Sequence, residues 1–212
     1  MIHWFGKVKP SEIPAVACSG GMDSMVLLEF LRKAGHKPGI LFFHHKTKNS
    51  EKAHKFLLEY SLKHNIAMET GYLTSEKPKD KSPEEFWREE RYEFLWKWAK
   101  TFGGGIGMAH NLNDAVETWL FNMFHTGKGY TIPYSRLTIV RPLLITSRAE
   151  IEEWANNNNV PHCEDESNAD LKYMRNRIRH VILPEVLKVN PGLFTVVKKH
   201  LRKKLEEQKV EV

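Results

Sequence analysis

The chain has 212 residues, 41% hydrophobic and 27% charged, with a formal net charge of +6 at pH 7. That balance suits one soluble α/β domain with a small appendage and excludes a disordered or fibrous chain. No apolar run is long enough to span a bilayer, and the N-terminal MIHWFGKVKP lacks the apolar core of a signal peptide. The two cysteines, Cys18 and Cys163, are far apart in sequence and form no CxxC pair. A disulfide framework and a cysteine-rich metal site are therefore not expected; a reducing cytoplasm is. The basic balance favours a polyanionic partner such as nucleic acid.

In chain order, short strand-like runs alternate with longer helical ones. Residues 13–19 (IPAVACS) read as a buried strand, and 23–33 show helical spacing through Met25, Leu28 and Leu31. Residues 39–45 (GILFFHH) read as a second strand, followed by a helix over about 50–64. A third strand is expected in 66–73 (IAMETGYL), and Pro83 then sits in the first turn of a long helix over 83–102. Residues 103–110 (GGGIGMAH) supply a fourth strand and 114–125 another helix, while 128–138, with Gly129 and Pro133, read as a loop. SRAEIEEWANNNN opens on a capping box, Ser147 with Glu150 three residues on. The chain from 172 onward reads as helical and basic, ending in a solvated charged helix or frayed tail. The alternation predicts right-handed βαβ crossovers and an open parallel sheet with helices on both faces. Residues 1–145 would carry that sheet, and 146–212 a helical segment completing the domain.

One stretch does not belong to the apolar pattern: Ser19-Gly-Gly-Met-Asp-Ser24, lying between the first strand and the first helix. Gly20 and Gly21 can take backbone angles that other residues resist and let the chain approach a ligand closely. The free N–H groups of the following helical turn face an anion, helped by the helix dipole, and Ser19 and Ser24 add hydroxyls. Asp23 would repel phosphates unless it holds a divalent cation that also bridges phosphate oxygens. His44 and His45, and His110 with Asn113, Asp114 and Glu117, follow the second and fourth strands and fall on the same rim.

The SGGMDS segment resembles the pyrophosphate loop of the N-type ATP pyrophosphatases, which cleave ATP between the α- and β-phosphates. No GxxxxGK[ST] occurs, so γ-phosphate transfer is disfavoured. The resemblance implies a Rossmann-like fold and ATP held by Ser19, Gly20, Gly21, Met22, Asp23, Ser24 and His44. HNLNDAVETWLFNMFHTG (110–127), REERY (88–92), RPLLITSRAEIEEW (141–154) and EDESNADLKYMRNRIRHVILP (164–184) resemble segments of the tRNA(Ile)-lysidine synthetases. Those enzymes adenylate the wobble cytidine of a CAU-anticodon isoleucine tRNA at C2, and the ε-amine of free lysine then displaces AMP.

On this resemblance Asp23 and Asp114, with Asn113, would hold Mg2+ against the ATP phosphates. His110 and Glu117 would orient the nucleotide or the metal shell, and Glu117 could hold or deprotonate the lysine amine. Arg88 and Arg91, three apart on a helix, would bind phosphate or the adenylated base. Arg141, Arg148, Arg175, Asn176, Arg177, Arg179 and His180 are expected to contact the tRNA, some of these arginines instead pairing with the carboxylates of EDESNAD. Trp87, Trp96 and Tyr130 are loose candidates for base stacking, with a core role the commoner use. The chain departs from the family at Asn113, where an amide replaces one of two adjacent acids, and it resembles a short form lacking C-terminal domains. A homodimer is left open, and no membrane partner is expected. The rival readings are a PP-loop tRNA thiolase or amidotransferring enzyme, and an RNA-binding homologue with impaired chemistry.

Overall fold

In the computed structural model, residues 1–75, 77–78, 80–163, 171–172 and 174–207 are described. The EDESNAD segment, whose carboxylates were expected to face the arginines, lies outside the described residues. Four parallel strands form the centre: β1 (Ala15–Ala17), β2 (Gly39–His44), β3 (Met68–Tyr72) and β4 (Ile106–Met108). They are joined through α1 (Met22–Lys33), α2 (Lys48–His64) and α3 (Pro83–Phe102), and α4 (Leu112–Thr126) follows β4. β5 (Ser135–Arg136) and β6 (Ile139–Val140) come next, then α5 (Arg148–Asn157), α6 (Met174–Arg177), a π-helical turn (Ile178–Ile182), α7 (Leu183–Val189) and α8 (Leu193–Glu207).

The sheet order among the described residues is β3-β2-β1-β4-β6-β5, parallel except where β5 runs against β6. The first crossovers lead outward from β1 through β2 to β3, and the chain then returns to the other side of β1 as β4. The carboxyl ends of β1 and β4 thus flank the switch point, where open α/β sheets bind ligands. The expected loop over 128–138 is corrected in its last part. Two short strands there extend the sheet, and Leu137, held at φ 53°, turns the chain between them. Two-residue strands carry too little alternation to be read from sequence.

The sheet is covered on both faces. Tyr92, Leu95 and Ala99 of α3 pack with Ala15, Leu41, Ile106 and Ile139 on one face. On the other, Met25, Leu28 and Leu31 of α1 join Leu57 of α2, Val116 and Leu120 of α4, Ile151 and Ala155 of α5, and Val197 and Leu201 of α8. That second cluster draws side chains from both sides of residue 145. No helix among the described residues is long and apolar enough to cross a membrane.

Candidate active site at the sheet switch point

The chain leaves β1 through Cys18 and turns at Gly20, whose φ of +82° belongs to the region where only glycine is unstrained. Gly21 caps α1, and Met25 N donates to its carbonyl at 3.1 Å. The Ser24 hydroxyl ties the loop into one piece: it accepts from Ser19 N at 3.2 Å and donates to Gly21 O at 2.8 Å. The first-turn N–H groups of a twelve-residue helix therefore open onto the rim behind a rigid bend. Met22 lies at that first turn, half-buried against the core. The loop's outer side is held by the chain before the EDESNAD segment, where Cys163 N donates to Gly20 O at 2.8 Å.

That contact brings the two sequence-distant cysteines close enough for Cys163 to act electrostatically on Cys18. Both thiols are free, and burial pushes both above the usual thiol range, which leaves them poor nucleophiles.

The start of α4 faces the start of α1. Asn111 caps α4, accepting from Asp114 N at 3.1 Å, while Asp114 Oδ2 accepts from Asn111 N at 3.0 Å. This reciprocal capping box was missed at the sequence level. Its signal was available in Asn111 and Asp114, three apart before an apolar run, the pattern recognised at Ser147. Asp23, on the facing helix, has its carboxyl raised to about 6. Burial is the main cause, and the Asp114 charge adds to it, while Arg148, Arg179 and the Asn111 side chain pull the other way.

Asp23 Oδ1 is buried and has no hydrogen-bond partner among the described residues. A buried, unsatisfied carboxylate oxygen beside a second carboxylate is what a divalent cation relieves. The described residues contain no cluster of three or more His, Cys, Asp or Glu able to hold a metal. The Asp23 and Asp114 pair still suits Mg2+, which is commonly held by one or two carboxylates with phosphate oxygens and water completing its shell.

Glu117, one helical turn beyond Asp114, is 1% exposed and gripped by Arg179 of the π-helical turn, with Nε–Oε1 at 2.6 Å and NH2–Oε2 at 3.0 Å. Arg179 also reaches Asp114 Oδ1 at 3.5 Å. Burial raises the Glu117 carboxyl, and the guanidinium offsets part of that push. Burial pulls Arg179 down, but the Glu117, Asp114 and Asp23 carboxylates outweigh it and keep the side chain charged. Asn113 turns the other way, its Oδ1 accepting from Arg148 N at 3.0 Å at the start of α5. The Arg148 side chain lies 3.5 Å from Glu152.

Beside this acidic compartment lies a basic one. Arg141, expected to contact tRNA, is instead 1% exposed. Its guanidinium donates to His110 Nδ1, to Pro133 O and to the Tyr92 hydroxyl at 3.3, 2.9 and 2.8 Å. No face of it is left for RNA: the apolar run around it in RPLLI signals a buried segment, and a buried arginine must be spent internally. Arg91 has its Nε buried without a partner among the described residues, and burial lowers its pKa, with Arg88, Arg175 and Arg141 acting in the same direction. Arg88 is exposed and lies 5.4 Å over the Tyr92 ring. Arg175 reaches Thr118 Oγ1 at 3.4 Å, so α6 is fastened to α4. Asn176 is buried, whereas Arg177 and His180 are exposed.

The adjacent histidines face opposite sides of β2, as strand geometry requires. His44 is buried and meets Glu51 at 3.1 Å and Lys46 N at 3.0 Å. His45 packs near Phe43 and Trp87, and burial, with Arg91 and His44 nearby, lowers it to about 4. Trp96 packs against the α3 core face, while Tyr130 is half exposed, with Lys204 5.3 Å above its ring.

Residues 3–186 match the PP-loop domain family. The chain is 37% identical over 195 residues to the tRNA(Ile)-lysidine synthase of Thermotoga maritima, covering 86% of this chain and 47% of that protein. It is 31% identical over 201 residues to the same-named protein of Lactiplantibacillus plantarum, covering 88% and 45% respectively. The chain thus spans about half the length of these curated relatives. An NH3-dependent NAD synthetase from Campylobacter jejuni, in complex with nitrate, shares the fold with a TM-score of 0.54 at 15% identity, over 92% of this chain and 86% of that one.

Proposed function

The chain belongs to the PP-loop family, and on that premise we propose that it uses ATP to convert the wobble cytidine of a CAU-anticodon isoleucine tRNA to lysidine. The observation that carries the ATP chemistry is the unpartnered Asp23 oxygen facing Asp114 beside a glycine bend at the switch point. Similarity to the lysidine synthases selects the base and the amine.

The Gly20–Gly21 bend and the first N–H groups of α1 receive the phosphates. Ser19 and Ser24 hold the bend rigid, so little is reorganised as the bond breaks. Asp23 and Asp114 would hold Mg2+, which would supply charge neutralisation for departing pyrophosphate. The cytidine O2 attacks the α-phosphorus, the α–β bridging bond breaks, and pyrophosphate leaves. The neutral ε-amine of lysine then attacks C2, and AMP departs with the former O2. Glu117 takes the amine proton on this reading, and for that it must be released from Arg179. On this reading Arg88, Arg91 and Arg175 meet the RNA's phosphates and the adenylated base, and Arg148, Arg177 and His180 add further contacts to the tRNA. The partners are the tRNA and free lysine, in the cytoplasm.

The test is incubation with ATP, Mg2+, labelled lysine and unmodified CAU-anticodon tRNA. The expected result is label in the RNA with one pyrophosphate released per lysine. Incorporation of sulfur or another amine in its place would overturn the lysidine assignment and leave the ATP chemistry standing. RNA binding without any ATP turnover would overturn both.

A further inference from the structure

Arg141 makes four polar contacts and is closed to solvent. Besides its three side-chain bonds, its N–H donates to Tyr134 O at 2.9 Å. Three separate acceptors thus fix the plane of the guanidinium, and its Nε–H can point only at His110 Nδ1. We propose that Arg141 is a positioning residue that fixes His110 as a neutral imidazole with its proton on Nε2, so that the ring offers a hydrogen-bond donor to a substrate oxygen.

The inference follows from what arginine can do. A guanidinium donates from every N–H, accepts at none, and keeps its proton throughout the working range of a protein. Nδ1 facing Nε–H at 3.3 Å must therefore present its lone pair. A proton there would set two donors head to head beside a fixed charge. A neutral imidazole carries one N–H, so the proton sits on Nε2. The other charges acting on the ring agree. Burial is the main cause that holds His110 well below its usual pKa, and the cationic Arg141, together with Arg91 and Arg88 of α3 and Arg175 of α6, acts in the same direction.

His110 sits just past β4, whose carboxyl end flanks the switch point. No hydrogen bond from Nε2 to another described residue competes for that donor. It suits a phosphate oxygen or the pyrimidine carbonyl. A fixed neutral donor in a water-poor site strengthens as charge grows on such an oxygen, at no cost of proton transfer. His110 is thereby excluded as a general base. Which oxygen it meets rests on the function proposed above; the tautomer does not.

The experiment is nitrogen-detected NMR on the intact chain with labelled histidine, the His110 signal identified among the 11 histidines by its loss in His110→Gln. An unprotonated Nδ1 and a protonated Nε2, unchanged between about pH 5 and 8, are expected. A protonated Nδ1, or an ordinary titration in that window, overturns the proposal. Two variants read the donor in activity, because a glutamine amide nitrogen takes the place of Nε2 and an asparagine amide nitrogen that of Nδ1. His110→Asn is expected to lower kcat for pyrophosphate release by ~10²–10³-fold, with His110→Gln retaining at least about ten times more. Equal losses in the two would refute the donor role. In Arg141→Lys, which keeps the charge but lacks the fork, the His110 tautomer should become mixed and kcat should fall more than KM for ATP rises. If that variant does not fold, the native spectrum and the histidine pair still decide. A protein that fails to incorporate lysine yet shows the fixed tautomer would sink the function and spare this inference.

Discussion

Asp23→Asn should make the ligand-free protein more stable at neutral pH while removing its response to Mg2+. The carboxyl is raised from 3.8 to about 6, mainly by burial and then by Asp114. A group whose pKa rises on folding binds its proton more tightly in the folded state. Its contribution is therefore full below the unfolded value and is lost as pH climbs through the folded one. The window here runs from about pH 4 to about pH 6. At about 1.4 kcal/mol per pKa unit the ceiling is ~3 kcal/mol; residual solvent contact and coupling to Asp114 bring the expected figure to ~1–3 kcal/mol. Asparagine keeps the shape and cannot ionise. Urea unfolding across the pH range should show wild type and variant nearly equal at about pH 4, diverging through the window, then parallel above it. Added Mg2+ should close the gap at about pH 8 by stabilising the wild type alone. A variant that is less stable at every pH, or a wild type indifferent to Mg2+, would refute the claim that this carboxylate is stored unsatisfied for a cation.

Three other perturbations probe separate parts of the rim. Gly20→Ala, at φ +82° with Ala53 Cβ 3.4 Å from the new methyl, should cost ~1–2 kcal/mol in urea unfolding and weaken ATP binding measured by calorimetry. Arg179→Met leaves Glu117 buried without its cation and should cost ~3–5 kcal/mol, with Glu117→Gln in the same chain recovering much of it; an additive double mutant would contradict the pairing. Asn113→Asp keeps the acceptor for Arg148 N and adds charge at the start of α5, so stability should rise by ~0.3–1 kcal/mol. Mg2+ affinity, followed by calorimetry, should change less than about threefold, because this side chain is turned toward α5.

The strands and helices that were legible in the sequence are those long enough to show a period. α1, α2 and α3 declare themselves through apolar spacing and caps, and Ser82 and Ser147 both accept from the N–H three residues on, as their positions suggest. The strands were expected too long. Pairing covers only Ala15–Ala17 of 13–19 and Ile106–Met108 of 103–110, because apolar residues continue past the ladder into loops that also bury them. β5 and β6 were not legible at all. β6 pairs because β4 offers Ile106 and Gly107, and β5 because β6 offers Ile139 and Val140, and a neighbour in space leaves no local trace.

The site divides along the same line. The glycine bend and its aspartate are contiguous, and a short polar interruption between a strand and a helix is visible in any reading. What could not be read was the direction in which each arginine is spent. Arg141, Arg175, Arg177 and Arg179 look equivalent as basic residues after apolar runs, yet they take four fates: a buried fork on His110, a tie to Thr118, an exposed cation and a clamp on Glu117. The sheet order sets β4 between β1 and β6, and α4, which follows β4, carries the Glu117 and Thr118 that Arg179 and Arg175 meet. The result is a group of carboxylates, Asp23, Asp114 and Glu117, that feels the charges of Arg179, Arg148 and Arg175, next to a histidine, His110, that feels Arg141, Arg91, Arg175 and Arg88. Among the described residues one Asp23 oxygen and the Arg91 Nε are buried without a hydrogen-bond partner, and each gives up solvation energy that a bound ligand would restore. A divalent cation would satisfy the first and an anionic group such as a phosphate the second.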